Sequence, residues 1–207
     1  MIPIANIALI DYVIDFLTSN GVEEIFFFSR VHRKQINDYI NSQNYREIKT
    51  QYLQSSTASN MGDVLREIND MMIIDGHFLL VRGDIVSNIS FLSAIELHLK
   101  MNEKNTANPA LVTKILLQVG HTNRIRTGDD DNLIILDSYK KQIVKFDSLD
   151  EASDVLLTPN VKFKPTSTPL ELRYDLIDSH INICSPHILP HFAEHFHCQV
   201  EFIRYYR

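Results

Sequence analysis

Glycine is scarce in this sequence, and its spacing excludes two kinds of nucleotide-binding loop. The 207 residues contain six glycines: Gly21, Gly62, Gly76, Gly83, Gly120 and Gly128. No two of them lie within six residues of each other. A loop that cradles phosphates needs several glycines close together, so that backbone N–H groups can approach the ligand. The sequence therefore contains neither a P-loop nor a dinucleotide-binding fingerprint.

Cysteines, basic runs and long apolar runs are also sparse. The two cysteines, Cys184 and Cys198, have no zinc-ligand spacing, and we interpret them as reduced thiols of a cytoplasmic protein. The net charge of -6, with no basic run longer than two residues, argues against a general nucleic-acid binder but leaves room for a local basic patch. The apolar stretches are strand-sized, and residues 1–17 carry Asp11 and Asp15 without a basic start. These features predict neither a membrane span nor a signal peptide.

Apolar periodicity predicts an α/β fold in the first half of the chain. Residues 7–17 have helical spacing, with Asn6 as the N-cap and Asn20-Gly21 as the stop. Strands are predicted at 25–28, 47–53 and 78–81, and helices at 31–41, 60–69 and 90–101. This alternation implies right-handed crossovers and a largely parallel sheet with helices on both faces.

The second half is predicted to be rich in strands. Strands are expected at 110–118, 133–136, 142–146 and 180–184, with 138–141 as a hairpin turn and 147–170 as a surface excursion. Ser185-Pro186 is predicted to start a last helix, as N-cap and first helical residue.

A first candidate site follows the strand predicted at 78–81. Gly83-Asp84 comes directly after this strand, and ligands of open parallel sheets bind at the carboxyl ends of the strands. A carboxylate there could hold a divalent cation that bridges phosphates. Asp84 could equally shape the turn or cap the next helix, and its position alone leaves these interpretations open.

Two further groups of polar residues predict no metal site. His187, His191 and His195 recur every four residues, as a zinc site on one helix face would require. No cysteine or carboxylate falls at a matching offset, and Pro190 interrupts the turn, so we interpret them as a solvated stripe. The segment Gly128–Asn132 lacks the spaced acids of a calcium loop and predicts a solvated turn.

Longer strings of residues resemble a known superfamily. Pro3–Asn6 and then Gly21–Glu24 resemble the segment just after the signature loop of the sugar-nucleotide nucleotidyltransferases. Gly62–Arg66 and Phe78–Ile89 are similar to the next two landmarks of that superfamily. The resemblance implies a mostly parallel, Rossmann-like, nucleotidyltransferase-like sheet with helices on both faces and a strand-rich hairpin in the second half.

Other segments narrow the resemblance to one family. Gln35–Ile40, Gly83–Ile89 and above all Arg173–Pro186 resemble the epsilon-subunit family of eukaryotic translation initiation factor 2B. The match runs from about residue 3 to residue 204 and implies that residues 1–207 form one nucleotidyltransferase-like domain of a longer chain. A β-helix domain and a C-terminal catalytic helical-repeat domain would lie outside it. The family's first strand would precede Met1, so we expect an unpaired strand edge or an exposed apolar face in its place.

The same resemblance implies a role in translation initiation rather than catalysis by this domain. The family is a guanine-nucleotide exchange factor for initiation factor 2, and its catalytic domain is the C-terminal one. This domain is therefore expected to be a cytoplasmic scaffold that contacts the other subunits, gamma above all, and initiation factor 2. The resemblance implies no cofactor, nucleic acid or membrane. The related gamma-subunit family is disfavoured by Tyr174–Pro186 but not excluded.

Residues at the enzymes' active-site positions imply that the ancestral chemistry has been lost. The acid and the lysine that the enzymes carry after the hairpin strand align with Phe146-Asp147-Ser148. The enzymes' Asn-Ala-Gly turn beside the sugar aligns with Asp178-Ser179-His180, where an imidazole should obstruct the sugar site. Asp84 aligns with a metal-binding residue of the enzymes, but a single carboxylate without its partners would bind magnesium weakly. Asp84 and the shared fold also motivate an alternative, an active sugar-1-phosphate nucleotidyltransferase that joins a nucleoside triphosphate to a sugar phosphate.

The end of the last predicted helix carries the expected partner-binding residues. The epsilon family has an Asn-Phe pair, followed by an acid, that is implicated in exchange and in contact with initiation factor 2. Phe196 matches the phenylalanine, while His195 and His197 replace the asparagine and the acid. We predict partner binding at His195 and Phe196. The alternative is that Phe196 packs the last helix onto the sheet.

Overall fold

The chain forms two compact units. The computed structural model describes residues 2–29, 31–43, 45, 48–53, 55, 58–104, 109–120, 132–139, 141–148 and 169–194. The first unit comprises Met1–Lys114 and His180–Val200, and the second comprises Ile115–Ser179 and Glu201–Arg207. None of the helices in the described part of the chain has the length and apolar character needed to cross a membrane.

Helices and strands alternate regularly through the first half, as the periodicity predicts. The helices are α1 (Leu9–Ser19), α2 (Arg33–Gln43), α3 (Met61–Met71), α4 (Leu92–Lys104) and α5 (Ile188–Glu194). The strands are β1 (Pro3–Ile4), β2 (Ile7–Ala8), β3 (Glu24–Phe27), β4 (Lys49–Tyr52), β5 (Phe78–Val81), β6 (Val112–Gln118), β7 (Asn132–Asp137), β8 (Gln142–Ser148), β9 (Leu170–Arg173) and β10 (Leu176–Cys184).

The strands pair in both directions, so the observed sheets are mixed. β3 and β4 are parallel, with Ile25 opposite Thr50. β5 pairs antiparallel with β10, with Val81 opposite Ile181, in a three-stranded sheet of order β5-β10-β6. The predicted parallel arrangement holds for β3 and β4. β10 runs the other way because the chain reaches it from the strand-rich second half rather than through a single helical crossover.

Each sheet among the described strands has edge strands with a single partner, as any open sheet does, so these edges do not test the expectation of a missing first strand. Among the described strands, β3 pairs only with β4, and β5 pairs only with β10. One backbone edge of each is therefore free of a described partner strand. That a further strand precedes Met1 stays a prediction.

The structure corrects the predicted start of α1. Asn6 does not cap the helix but lies with Ala5 in the turn between β1 and β2, and their φ angles are 67° and 49°. Asparagine tolerates this left-handed conformation better than most residues, so the hairpin turn takes precedence over the cap. Ala8 is the N-cap and makes no side-chain hydrogen bond. The end agrees with the prediction, because Asn20 is the C-cap and Gly21 has a φ of 80°.

Polar contacts fix α3 and join it to α5. The Asn60 side chain accepts a hydrogen bond from the Asp63 backbone N–H, and the Asp63 carboxylate accepts one from the Asn60 backbone, which forms a capping box. Arg66 donates to Asp63 at 2.6 Å and to the carbonyl oxygen of Phe192 in α5 at 3.2 Å. The predicted start of α5 is wrong by two residues, because the helix begins at Ile188 rather than Pro186, and the Ile188 N–H donates to the carbonyl oxygen of Ser185 in a turn that precedes the helix.

An antiparallel sheet of order β8-β7-β9 forms in the second unit. It contains the hairpin predicted through residues 138–141, since β7 pairs with β8 from Asn132 opposite Ser148 to Asp137 opposite Gln142. Ile134, Phe146 and Leu176 form a buried cluster beside the sheet. β7 is buried on both faces, with Leu133, Ile134 and Ile135 no more than 1% exposed, as its unbroken apolar run predicts.

Candidate functional site

Asp84 lies in the turn that follows β5, and its carboxylate is paired with a guanidinium. Nε of Arg82 donates to Oδ1 of Asp84 at 3.0 Å, and Nη2 donates to Oδ2. Both side chains are about half exposed, 51% for Arg82 and 53% for Asp84. The next helix, α4, begins only at Leu92, so Asp84 is not its cap. Within the described residues, this geometry agrees with the interpretation that Asp84 shapes the turn.

His180 of β10 lies beside this turn and has an unusual backbone conformation. The backbone N–H of Arg82 donates to the carbonyl oxygen of His180 at 3.3 Å. The φ angle of His180 is 56°, in the left-handed region that glycine adopts without steric cost. This is the position that aligns with the glycine of the enzymes' Asn-Ala-Gly turn. An imidazole-bearing residue thus keeps a backbone conformation that suits glycine.

A magnesium ion such as the enzymes use does not fit the residues that the structure describes around Asp84. Mg²⁺ requires near-octahedral oxygen ligands, usually one or two carboxylates together with substrate phosphates. Both oxygens of Asp84 already accept hydrogen bonds from Arg82. Among the residues that the structure describes, no group of three or more His, Cys, Asp or Glu side chains could hold a metal ion. The segment Phe146–Ser148, which stands where the enzymes carry an acid and a lysine, lies in β8.

The predicted partner-binding residues, His195 and Phe196, lie outside the described residues. Helix α5 ends immediately before them, at Glu194, and buries Ile188, Leu189 and Phe192. Arg66 holds the carbonyl oxygen of Phe192, four residues before Phe196. The prediction of a partner site at His195 and Phe196 therefore stays a prediction.

The two other groups weighed from the sequence are described only in part. His187 lies in the turn before α5 whereas His191 lies within the helix, so the two do not form a stripe on one continuous helix. His195 lies outside the described residues. Of the segment Gly128–Asn132, only Asn132 is described, at the start of β7.

A buried histidine on α4, in contact with the exposed His77, escaped the sequence analysis. His98 is fully buried on α4, with Nε2 3.0 Å from Nδ1 of His77 and Nδ1 2.7 Å from Oγ1 of Thr113. Burial, with a smaller contribution from the charge of His77, lowers the pKa of His98 to about 4. His98 continues the helical apolar spacing of Phe91 and Ile95, and this signal could have predicted its burial.

A carboxylate shared by two tyrosines ties α1 to α2 and to the chain that follows α2. Asp11 accepts hydrogen bonds from the hydroxyl groups of Tyr39 at 2.7 Å and Tyr45 at 2.6 Å. These contacts favour the neutral phenols, and they raise the pKa of Tyr39 to about 12. Their separation of 28 and 34 residues from Asp11 gives no local sequence signal.

Comparison with known proteins agrees with the resemblance seen in the sequence. The chain is 34% identical over 199 residues to translation initiation factor eIF2B subunit epsilon of Dictyostelium discoideum, which covers 95% of this chain. It is 29% identical over 203 residues to the same subunit of Schizosaccharomyces pombe, which covers 96% of this chain. The chain spans only 28% and 30% of the length of these two relatives.

Solved structures share the fold at low sequence identity. HddC from Yersinia pseudotuberculosis superposes with a TM-score of 0.64 at 12% identity, over 100% of this chain and 74% of that chain. The inositol-1-phosphate CTP transferase from T. maritima has a TM-score of 0.59 at 11% identity, over 97% of this chain and 66% of that chain. These comparisons confirm the predicted nucleotidyltransferase-like fold.

The family assignment rests on more than half of the sequence. A sequence model of the family described as Nucleotidyl transferase matches residues 1–116. This range contains α1 to α4, the strands from β1 to β5 and the turn with Asp84. The chain therefore belongs to the nucleotidyl transferase family.

Proposed function

We propose that this chain is the nucleotidyltransferase-like domain of an epsilon subunit of the guanine-nucleotide exchange factor for translation initiation factor 2. In this proposal the domain is a non-catalytic scaffold that holds the exchange-factor subunits together in the cytoplasm. The observation that carries it is the identity of 34% and 29% to two epsilon subunits over almost the whole chain. The superposed nucleotidyltransferases reach only 10% to 14%.

Two features at the end of β5, together with the spacing of the glycines, support the loss of catalysis. Arg82 occupies both oxygens of Asp84. His180 has a side chain where the enzymes' turn has glycine, and the six glycines of the chain are too widely spaced for a phosphate-binding loop. Within the described residues, a magnesium-bound nucleoside triphosphate would therefore find no free carboxylate at Asp84.

The proposed partner surface begins where α5 ends. Helix α5 is fixed through Arg66, which bridges Asp63 at the start of α3 and the carbonyl oxygen of Phe192. We propose that His195 and Phe196, which follow this helix in the sequence, contact initiation factor 2 or the gamma subunit. Aromatic side chains frequently anchor such interfaces because they bury a large area at a small entropic cost.

Co-purification tests the assignment. The complete polypeptide that contains this domain is co-expressed with the other exchange-factor subunits and captured by a tag on that polypeptide. We expect the other subunits, with gamma among them, to be recovered. Failure to recover any subunit would overturn the proposal.

A second set of variants tests the partner surface. Phe196→Ala is expected to reduce recovery of initiation factor 2 or of gamma at least tenfold. His187→Ala, in the turn before α5, is the matched control and should leave recovery unchanged. Equal recovery with both variants would remove Phe196 from the interface without affecting the assignment of the domain.

An enzymatic assay separates the scaffold from the alternative activity. An active sugar-1-phosphate nucleotidyltransferase would release pyrophosphate from a nucleoside triphosphate and a sugar phosphate in the presence of Mg²⁺, and Asp84→Ala would abolish the release. We expect no release above background over a panel of nucleotides and sugar phosphates. Release that depends on Asp84 would show an active enzyme.

A further inference from the structure

Arg82 and Asp84 form a self-contained ion pair at the position where the fold family places a metal ligand. The two residues flank Gly83 in the turn after β5, and their pair is bidentate, Nε to Oδ1 and Nη2 to Oδ2. A guanidinium presents its N–H groups in a planar fork that matches the two oxygens of a carboxylate. Both oxygens that could coordinate a cation on this side of Asp84 are thus occupied by the chain itself.

We infer that the Arg82 guanidinium takes the place of a divalent cation at Asp84 and weakens the binding of metal there. This inference deepens the proposed non-catalytic function and rests on it for its biological meaning. The guanidinium supplies one positive charge beside the carboxylate. An incoming cation would have to displace the guanidinium from the carboxylate oxygens, and the displaced guanidinium would still lie nearby. Like charges at such distances repel, so Arg82 opposes the cation both by competition and by repulsion.

The rest of the site does not compensate for a cation. A single exposed carboxylate binds Mg²⁺ weakly unless further oxygen ligands complete the octahedron. No metal-binding group of three acidic, histidine or cysteine side chains exists in the described part of the chain. His180, whose carbonyl oxygen accepts the Arg82 N–H, holds the backbone next to Arg82 and so helps to keep the guanidinium near Asp84.

The size of the effect follows from the exposure of the pair. Both side chains are about half exposed, so water screens their attraction. Exposed ion pairs of this kind contribute up to about 1 kcal/mol, which corresponds to roughly a fivefold change in an equilibrium constant. Removal of the guanidinium also removes the repulsion. We therefore expect Arg82→Gln to strengthen binding of a divalent cation at Asp84 by up to about fivefold.

Mn²⁺ is a suitable probe because its free and bound forms can be distinguished by electron paramagnetic resonance. The complete chain is titrated with Mn²⁺ as the wild type, Arg82→Gln, Asp84→Asn and the double variant Arg82→Gln/Asp84→Asn. We expect the gain in affinity in Arg82→Gln and its loss in the double variant. Thermal unfolding of each variant confirms that it is folded.

A charge-matched control isolates the bidentate contact. Lys49 pairs with Glu24 through a single ammonium on the β3–β4 sheet, so Lys49→Gln removes the same charge at a different place. The gain in Arg82→Gln should exceed that in Lys49→Gln. The inference is overturned if the wild type binds Mn²⁺ as tightly as Arg82→Gln, or if the gain persists in the double variant.

The same variants distinguish a failure of this inference from a failure of the proposed function. Arg82→Gln should recover the other subunits in the co-purification as the wild type does. A negative Mn²⁺ result with normal subunit recovery overturns the role of Arg82 alone. Recovery of no subunit by the wild type overturns the proposed function, whatever the Mn²⁺ titration gives.

Discussion

The imidazoles of His77 and His98 face each other, with their ring centroids 4.9 Å apart and their planes at 85°. His98 lies on α4, His77 precedes β5, and Thr113 on β6 binds the far side of the His98 ring at 2.7 Å. Asn102, one turn along α4, also lies within hydrogen-bonding distance of Nε2. Both nitrogens of His98 therefore have partners while the ring is neutral, and a proton on the buried ring would be costly.

The unfolding free energy should decrease as the pH is lowered, because His98 resists protonation in the folded protein. Burial and the charge of His77 lower the pKa of His98 from 6.5 to about 4. The unfolded chain takes up a proton near pH 6.5 that the folded protein accepts only near pH 4. The stabilisation is therefore complete above pH 6.5 and is lost as the pH falls towards 4. A shift of this size corresponds to at most about 3 kcal/mol of unfolding free energy.

Urea denaturation at a series of pH values checks this expectation. The wild type should lose stability steadily between pH 6.5 and pH 4, and His98→Gln should have a flatter dependence over that range, even if it is less stable at pH 7. His77→Gln should retain part of the slope, because burial is the larger cause of the shift. An equal slope in the wild type and in His98→Gln would contradict the assignment.

Removal of the charge on Asp175 should destabilise the second unit. Arg173 donates to both carboxylate oxygens of Asp175 at 2.7 Å, and Gln118 donates to one of them at 2.9 Å. The Arg173 guanidinium holds the pKa of Asp175 well below its usual range. We expect Asp175→Asn to cost about 1 to 2 kcal/mol at pH 7, since both side chains are less than a third exposed.

The pH dependence of this variant gives a second readout. A carboxylate with a lowered pKa stabilises the fold above its unfolded pKa of 3.8, and this contribution is lost as the pH falls through the folded value. The difference in urea midpoint between the wild type and Asp175→Asn should therefore shrink below about pH 3.8. Asp70→Asn, at an exposed position of α3, is the control and should change the midpoint little at either pH.

Asn20 should be the most sensitive polar residue at the end of α1. Its side chain accepts the Phe91 backbone N–H at 3.0 Å and donates to the carbonyl oxygens of Ile89 at 3.1 Å and Phe16 at 3.0 Å. The rings of Phe16 and Phe91 also meet edge to face, with their centroids 5.0 Å apart. Asn20 thus joins the end of α1 to the chain that enters α4.

Truncation of Asn20 leaves the backbone of a buried residue without a partner. Asn20→Ala should lower the unfolding free energy by about 2 kcal/mol, because the Phe91 N–H loses its acceptor. Asn20→Asp should also be destabilising, because it keeps an acceptor for that N–H but sets a carboxylate oxygen against the carbonyl oxygens of Phe16 and Ile89. Asn41→Ala, which removes an exposed side chain with a 3.4 Å contact to Asn37, is the control. Similar losses for Asn20→Ala and Asn41→Ala in urea denaturation would contradict this role.

Local sequence patterns predicted helices and strands well where a segment carried a single structural signal. The apolar run of β5 and the hairpin between β7 and β8 agree with the structure because short-range periodicity and turn chemistry determine them. Asn6 shows the limit of such reasoning. Its side chain is suited both to an N-cap and to a left-handed turn, and the pairing of β1 with β2 decided between the two.

The contacts at the candidate site depend on longer separations and could not be predicted in this way. The sequence placed Asp84 after a buried strand, but the hydrogen bond between Arg82 and His180 joins residues almost a hundred positions apart. The direction of β10 likewise follows from the return of the chain after the second unit. Only the family resemblance placed the turn at Asp84 and the segment at His180 in the same site.

Substitution of His180 tests whether its backbone is under strain. A residue with a side chain at a φ of 56° costs roughly 1 to 2 kcal/mol relative to glycine. Since His180→Gly and His180→Ala both lose the imidazole, their difference reports the backbone alone, and glycine should be more stable by about 1 kcal/mol. Ser179, whose φ is not positive, should show the reverse order, with alanine more stable than glycine by about 0.5 to 1 kcal/mol. If alanine is the more stable residue at both positions, His180 does not occupy a glycine-like position, and the alignment of this turn with that of the enzymes is wrong.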